Sequence, residues 1–369
     1  MAGPEMLNIG IVGACGRGAS FRTACEAAPG VRIHAVCDVN TEDLADAAER
    51  LGAAEQYTDY EEMLDKSKLQ AVVIGTPMHL HVPQSIAALE RGLHVLCEVP
   101  AGVSIDECRQ LVTAAEASDA VYMMAENYCY AKPIVLIKEL CRQGLFGEVY
   151  YAEGEYLHEL KELNETTRWR RKWQTGIAGI TYGTHSLGPI LQWMPGDRVV
   201  KVCCANSGSH HADPRGEPYA QDTATMLCKT ARGALIQIRV DMISDRPHAM
   251  HSHHLQGTDG VFESSRGGPV DRGRIWLRTL SEEIRWHDLE SLMAVDALAE
   301  KYLPEMWRNP PAEALTAGHG GGDFWTNLTF ANAIRSGKQP FLDVYRGVAM
   351  SSVGILAWKS ALADGEPIE

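Results

Sequence analysis

The sequence predicts an α/β fold in two parts, a doubly wound parallel sheet followed by an α+β domain with a large, mostly antiparallel open sheet. Three observations carry this prediction. Short apolar runs alternate with helical stretches up to residue 126, a glycine cluster closes the first run, and beyond Pro133 the runs lengthen and alternate in polarity. At 369 residues the chain is long enough for two cores of ordinary size.

Residues 7–12, 31–37, 71–74, 94–96 and 121–124 read as strands and the segments between them as helices. Such β/α alternation buries both faces of a parallel sheet, so residues 1–126 are expected to form a Rossmann-type domain and 127–369 a second, C-terminal domain. A helix over 134–142 stops at Gly144, and the runs 148–156, 199–204, 223–228 and 234–240 follow as strands with one face covered by helices. Gly257-Thr258-Asp259-Gly260 reads as a hairpin in which Asp-Gly supplies positive φ angles. Helices near 323–336, stopped by Gly337, and 344–362 close the chain.

A net charge of -14 argues against nucleic acid, whose binding rests on Lys and Arg neutralising phosphates. Ten cysteines lie without C-x-x-C spacing, and Cys37, Cys97, Cys203 and Cys228 sit in apolar runs, which predicts a reduced, cytoplasmic protein. No basic segment and apolar h-region precede residue 7, and no run approaches the ~18 apolar residues of a membrane span, so neither export nor a membrane partner is expected.

Gly13-Ala14-Cys15-Gly16-Arg17-Gly18 follows a strand and opens a helix, the setting in which glycines let the backbone approach a pyrophosphate. Cys15 stands where the second glycine of G-x-G-x-x-G belongs, and Gly16 beside it restores the close approach. Asp38, at the end of the second strand, suits the ribose hydroxyls and repels a 2′-phosphate. The cofactor is therefore expected to be NAD, with Arg17 the one feature that suits NADP. Thr76, Pro77, His79 and His81 follow the strand 71–74 at the carboxyl edge of the sheet, where a loop borders the dinucleotide.

With these residues, the chain resembles the Gfo/Idh/MocA family of sugar and inositol oxidoreductases. Within it, the chain is most similar to glycoside hydrolase family 109, NAD-dependent enzymes acting on α-N-acetylgalactosaminides. The likeness is carried by Glu98-Val99-Pro100-Ala101, Glu126-Asn127-Tyr128-Cys129-Tyr130, Gly144-Leu145-Phe146-Gly147-Glu148, Gly154-x-Tyr156-x-His158, Tyr182-x-Thr184-His185-x-Leu187-Gly188-Pro189, Gly196-Asp197-Arg198 and Gly318-His319-Gly320-Gly321-x-Asp323. It implies that Glu98 lies near the nicotinamide ribose, with Val99 and Asn127 beside the cofactor, and that the open sheet of the second domain drives homo-oligomerisation. Ordinary dehydrogenases of the wider family carry a lysine and an aspartate where this chain has Val99 and Thr181. The proton-transfer groups must come from elsewhere.

The resemblance implies a redox-neutral route to glycoside cleavage. The sugar is oxidised at C3 with NAD, loses its C2 proton and C1 substituent, adds water and is reduced again. The chain must then supply acid/base groups for the C3 hydroxyl and for C2. The motif match and a pKa near ~6.5 select His185 for the first. Tyr156 leads for the second, although a phenol of pKa ~10 needs help to act as a base. Strand alternation puts His158 on the face of Tyr156, and Tyr182 and His319 complete the catalytic candidates. Three imidazoles, of His158, His185 and His319, suit a metal, but no local spacing requires one, and none is expected. His248, His251, His253 and His254 read as a sheet face, with His254 opposite His251 and His253. Trp169, Arg170 and Trp173 are candidates to stack on a sugar or to hold an acidic one. Two rival readings stand beside glycoside cleavage: a plain sugar or inositol dehydrogenase, and a non-catalytic dinucleotide and sugar sensor.

Overall fold

The computed structural model describes residues 6–246, 250–266, 271–295 and 297–369. The chain divides into two compact units, Met1–Tyr130 with Pro311–Ser352, and Ala131–Pro310 with Val353–Glu369.

In the first unit, strands β1 (Leu7–Val12), β2 (Val31–Cys37), β3 (Glu55–Tyr57), β4 (Ala71–Ile74), β5 (His94–Cys97) and β6 (Tyr122–Met124) form a parallel sheet in the order β3-β2-β1-β4-β5-β6. The chain reverses its winding between β1 and β4, and ligands of open α/β sheets bind at the carboxyl ends of strands beside such a switch point. Ile9, Ile11, Val72, Val73, Ile74, Val95 and Leu96 are buried, as residues sealed on both faces must be. Side chains cap the helices where the sequence places Asp and Ser. Asp59 accepts from the Glu62 amide before Tyr60–Lys66, and Ser104 from the Glu107 amide before Ile105–Glu116. Strand β3 was not expected, because its three half-exposed or exposed residues, Glu-Gln-Tyr, form no apolar run. The helix Gly322–Ser336 belongs to this unit and stops at Gly337, whose φ of 64° suits glycine at a helix end.

The second unit holds β7 (Val149–Leu157), β8 (Val199–Asn206), β9 (Thr223–Thr230), β10 (Leu235–Asp241), β11 (His251–Gly257), β12 (Gly260–Glu263), β13 (Arg274–Leu277) and β14 (His287–Asp288). Their order is β14-β13-β12-β11-β7-β10-β9-β8, and β7 and β10 run parallel while the other paired strands are antiparallel. Polarity alternates as the sequence predicts: along β9, Ala224, Met226, Cys228 and Thr230 are buried while Leu227 and Lys229 are exposed. The helix Thr184–Trp193 packs on β7 and β11. It comes close because Gly154 has no side chain, for a Cβ there would fall 2.6 Å from the Cβ of Ser186. The opposite face carries half-exposed and exposed groups, among them Tyr151, Leu227, Leu235 and Arg239.

The hairpin at Gly257 is present, but its expected backbone is corrected: none of residues 257–260 has positive φ. The glycines answer to crowding instead. A Cβ on Gly257 would meet the Phe146 carbonyl oxygen at 2.1 Å, and one on Gly260 the Leu277 side chain at 2.5 Å. The turn is tied down by the Asp259 amide donating to Phe146 O and the Thr258 amide to Glu148 O. No helix among the described residues is long and apolar enough to cross a membrane. His248 lies outside the described residues.

Candidate functional site

The glycine cluster turns sharply after β1. Gly13 has φ +78°, a conformation that leaves no comfortable place for a side chain. A Cβ on Gly18 would fall 2.7 Å from Gly13 O, and one on Gly75, after β4, 2.6 Å from the Gly18 nitrogen. Gly16, by contrast, has only Gly13 O near its missing Cβ, at 3.8 Å, so its backbone is open to approach. A tightly folded turn with one bare, accessible edge fits a pyrophosphate. Asp38 reaches back from the end of β2, where one carboxylate oxygen accepts from the Cys15 amide at 2.8 Å and the other from the Asn40 amide at 2.9 Å. Each oxygen keeps acceptor capacity for a ribose hydroxyl. Partial burial, and after it the Asp38 charge, push the Cys15 thiol up to about 11.

Beyond β4, Thr76 donates from Oγ1 to Gln84 Oε1 at 2.6 Å, Pro77 precedes the short turn Met78–Leu80 that carries His79, and His81 opens the next helix. His81 is buried, with ring nitrogens 2.8 and 3.0 Å from the carbonyl oxygens of Pro100 and Thr76. It braces two loops of the cradle. Burial lowers its pKa against the pull of those carbonyls.

Around Glu98 stands an ion network. Arg17 Nε donates to Glu98 Oε1 at 2.7 Å, and its Nη2 lies 3.4 Å from Asp323 Oδ1. Asp323 also accepts from Asn127 Nδ2 at 2.9 Å and from His319 Nδ1 at 3.1 Å. Val99, in the position of the family lysine, is buried, and its amide lies 3.3 Å from Glu98 Oε2. Burial alone would raise the Asp323 carboxyl, but the His319 hydrogen bond and the Arg17 charge outweigh it and hold the group at about 2. Asp323, at the end of the glycine-flanked run 318–323, is a further residue of this network, and that run is the signal it leaves in the sequence.

The second unit assembles four of the five catalytic candidates. Tyr156, near the end of β7, shares a hydrogen bond of 2.9 Å between its Oη and His158 Nδ1. Its ring centroid lies 4.8 Å from that of His185 and 5.7 Å from that of Tyr182, and Tyr182 and His185 are 4.9 Å apart. The helix Thr184–Trp193 delivers His185 in its first turn. A phenol and an imidazole at this distance can pass a proton between them. His319, the fifth candidate, lies in the first unit with Asp323.

Register explains the histidines of β11. His251 faces Tyr156 across the strand pair and His253 faces Gly154, so both share the helix-covered face, while His254 pairs with Glu153 on the other. In the substrate candidates, the Arg170 guanidinium lies 4.5 Å over the Trp169 ring and Lys172 4.9 Å over that of Trp173. Arg170 also donates to Thr167 Oγ1 and Gln174 Oε1. Local contacts thus occupy part of its hydrogen-bonding capacity.

Residues 7–126 match the model of the oxidoreductase family with NAD-binding Rossmann fold, and residues 130–369 that of the C-terminal domain of glycosyl hydrolase 109. A glycosyl hydrolase family 109 protein of Saccharopolyspora erythraea is 31% identical over 395 residues, spanning 99% of this chain and 83% of that protein. An alpha-N-acetylgalactosaminidase of Shewanella oneidensis is 31% identical over 387 residues, with 96% and 82% covered. Among solved structures, levoglucosan dehydrogenase with NADH and levoglucosan superposes with TM-score 0.82 at 21% identity over 99% of each chain. An inositol dehydrogenase homolog from Azotobacter vinelandii with NAD+ gives 0.80 at 20% identity, over 99% of this chain and 97% of that one.

Proposed function

Since the chain belongs to glycosyl hydrolase family 109 and is an NAD-dependent enzyme of the Gfo/Idh/MocA type, we propose that it cleaves a pyranoside, an α-N-acetylgalactosaminide foremost, with no net redox change. The observation that carries this reading is the packed group of Tyr156, His158, Tyr182 and His185. When bound, NAD supplies reversible oxidation at the sugar C3. The chain's residues then have proton work to do. His185 takes the C3 hydroxyl proton as the carbonyl forms and returns it at the end. The carbonyl acidifies the C2–H, and Tyr156 removes that proton with His158 accepting from the phenol. The C1–O bond breaks as the C1–C2 double bond forms, and Tyr182 donates to the departing oxygen. Water adds at C1 and gives its proton to Tyr182, restoring the acid, and the C2 proton comes back from the same pair.

Several first-unit residues have cofactor roles in this reading. The turn of Gly13, Cys15, Gly16 and Gly18 meets the pyrophosphate, and Asp38 the adenosine ribose. Arg17, Glu98 and Asn127 hold the nicotinamide end, Val99 lines it, and Thr76, Pro77, His79 and His81 form the bordering loop. His319 steadies Asp323, and Trp169, Arg170 and Trp173 contact the sugar. Copies of the chain associate through the open face of the second sheet, where Leu227 and Leu235 are exposed. A panel of aryl α- and β-glycosides, followed for aglycone release and for reduced-cofactor absorbance together, tests the function. Aglycone release without accumulating NADH is expected. Stoichiometric NADH would replace this reading with a plain dehydrogenase, and hydrolysis by cofactor-free protein would end it.

A further inference from the structure

We propose that His253 is a positioning residue whose Nε2–H replaces a backbone donor that Pro189 lacks, and so fixes the main chain at His185. In an α-helix the carbonyl of residue i accepts from the amide of residue i+4. The helix Thr184–Trp193 contains Pro189, four residues after His185, and proline has no N–H to give. His253 Nε2 lies 3.2 Å from the His185 carbonyl oxygen. A carbonyl only accepts, so that ring nitrogen carries the proton, and a neutral ring is then bare at Nδ1.

The surroundings favour this state. His253 is wholly buried, and its Nδ1 has no hydrogen-bond partner among the described residues. Burial first, and the neighbouring His251 next, drive its pKa far down, so the ring stays a neutral donor. Its access to the helix follows from sheet register. His253 pairs with Gly154, the position whose missing side chain lets Ser186 approach. The same ring meets Trp193, the last residue of the helix, edge-on at 6.0 Å, so one imidazole touches both ends of the helix. The His185 ring stands 4.8 Å from Tyr156 and 4.9 Å from Tyr182, and a backbone freed at residue 185 would let that arrangement drift.

The effect on turnover rests on the proposed role of His185, whereas the hydrogen bond does not, and the test separates them. Long-range ¹H–¹⁵N correlation spectra of the full chain with labelled histidine should show His253 as the Nε2–H tautomer from pH 5.5 to 8.5. An Nδ1–H tautomer, or a charged ring, would overturn the proposal. The second arm combines H253L with P189A, which returns an amide to position 189. H253L alone should displace the His185 ring signals and lower kcat on p-nitrophenyl α-N-acetylgalactosaminide by about tenfold, with KM little changed. H253L with P189A should return both toward wild type. Equal losses with and without P189A would show that His253 serves only as packing. Should wild-type protein not cleave this glycoside, the proposed function fails, and the tautomer and the His185 signals still decide this one.

Discussion

Replacing Asp323 by Asn removes one charge and keeps the shape of the side chain. Its carboxyl is held at about 2 against an ordinary 3.8, a difference of nearly two pKa units. At about 1.4 kcal/mol per unit, the ionised state contributes about 2 kcal/mol to the first unit at neutral pH. The side chain is 1% exposed, so solvent screening takes little from that figure. The sign follows from the depressed value: the contribution is complete above the unfolded pKa and is lost as pH falls through about 4 toward 2. Asp323→Asn should therefore cost about 2 kcal/mol at pH 7 and roughly half of that at pH 3, where the unfolded chain's carboxyl is already mostly protonated while the folded one stays ionised. Hydrogen exchange on the amides of the helix Gly322–Ser336 gives this number locally, which one melting curve of a two-unit chain does not. A cost that is absent at pH 7, or as large at pH 3, would refute the reasoning.

Four other perturbations are diagnostic. Gly154→Ala places a methyl 2.6 Å from the Ser186 Cβ, and overpacking of that kind should cost about 1–3 kcal/mol in chemical denaturation, with kcat falling as His185 shifts; wild-type stability would contradict it. His158→Ala should lower kcat by about a hundredfold and abolish solvent exchange at the sugar C2, and exchange at the normal rate would remove His158 from the proton path. A Cys15 thiol at about 11 instead of 9 carries about a hundredfold less thiolate at pH 8, so iodoacetamide should label it slowly and Asp38→Asn should speed it; fast labelling of wild type would be the contrary result. Asp38→Ala should shift calorimetric preference from NAD toward NADP by about tenfold, and an unchanged ratio would separate Asp38 from the ribose.

The parallel sheet was legible because β4 is a continuous apolar run and β1 and β2 are mostly apolar, broken only by Asn8 in β1 and by Arg32 and His34 in β2, the mark of strands buried on both faces. Strand β3 was not, since its three residues gain their place only by pairing Ala35 through Cys37 of β2 with Glu55 through Tyr57. The return of residues 311–352 to the first unit is equally silent in the pattern, because periodicity reports a helix and not what it packs against. The meeting of Tyr156 and His158 was readable from strand alternation, but the gathering of Tyr182 and His185 around them depends on how the helix Thr184–Trp193 lies on β7, which local pattern does not encode. Asp323 escaped for a related reason. Its partners Arg17 and Asn127 are 306 and 196 residues away, and only folding reveals the charge it balances. The hairpin shows the opposite case, a correct position reached with the wrong cause: crowding against Phe146 and Leu277, not positive φ, selects Gly257 and Gly260.

The central claim is that the sugar is oxidised only in passing. It is tested most directly by cleaving an aryl α-N-acetylgalactosaminide in D₂O with the NAD-loaded enzyme and recording the proton spectrum of the released sugar. The account predicts deuterium at C2, protium retained at C3 and no reduced cofactor at the end of the reaction. Released sugar with its C2 proton intact would contradict it.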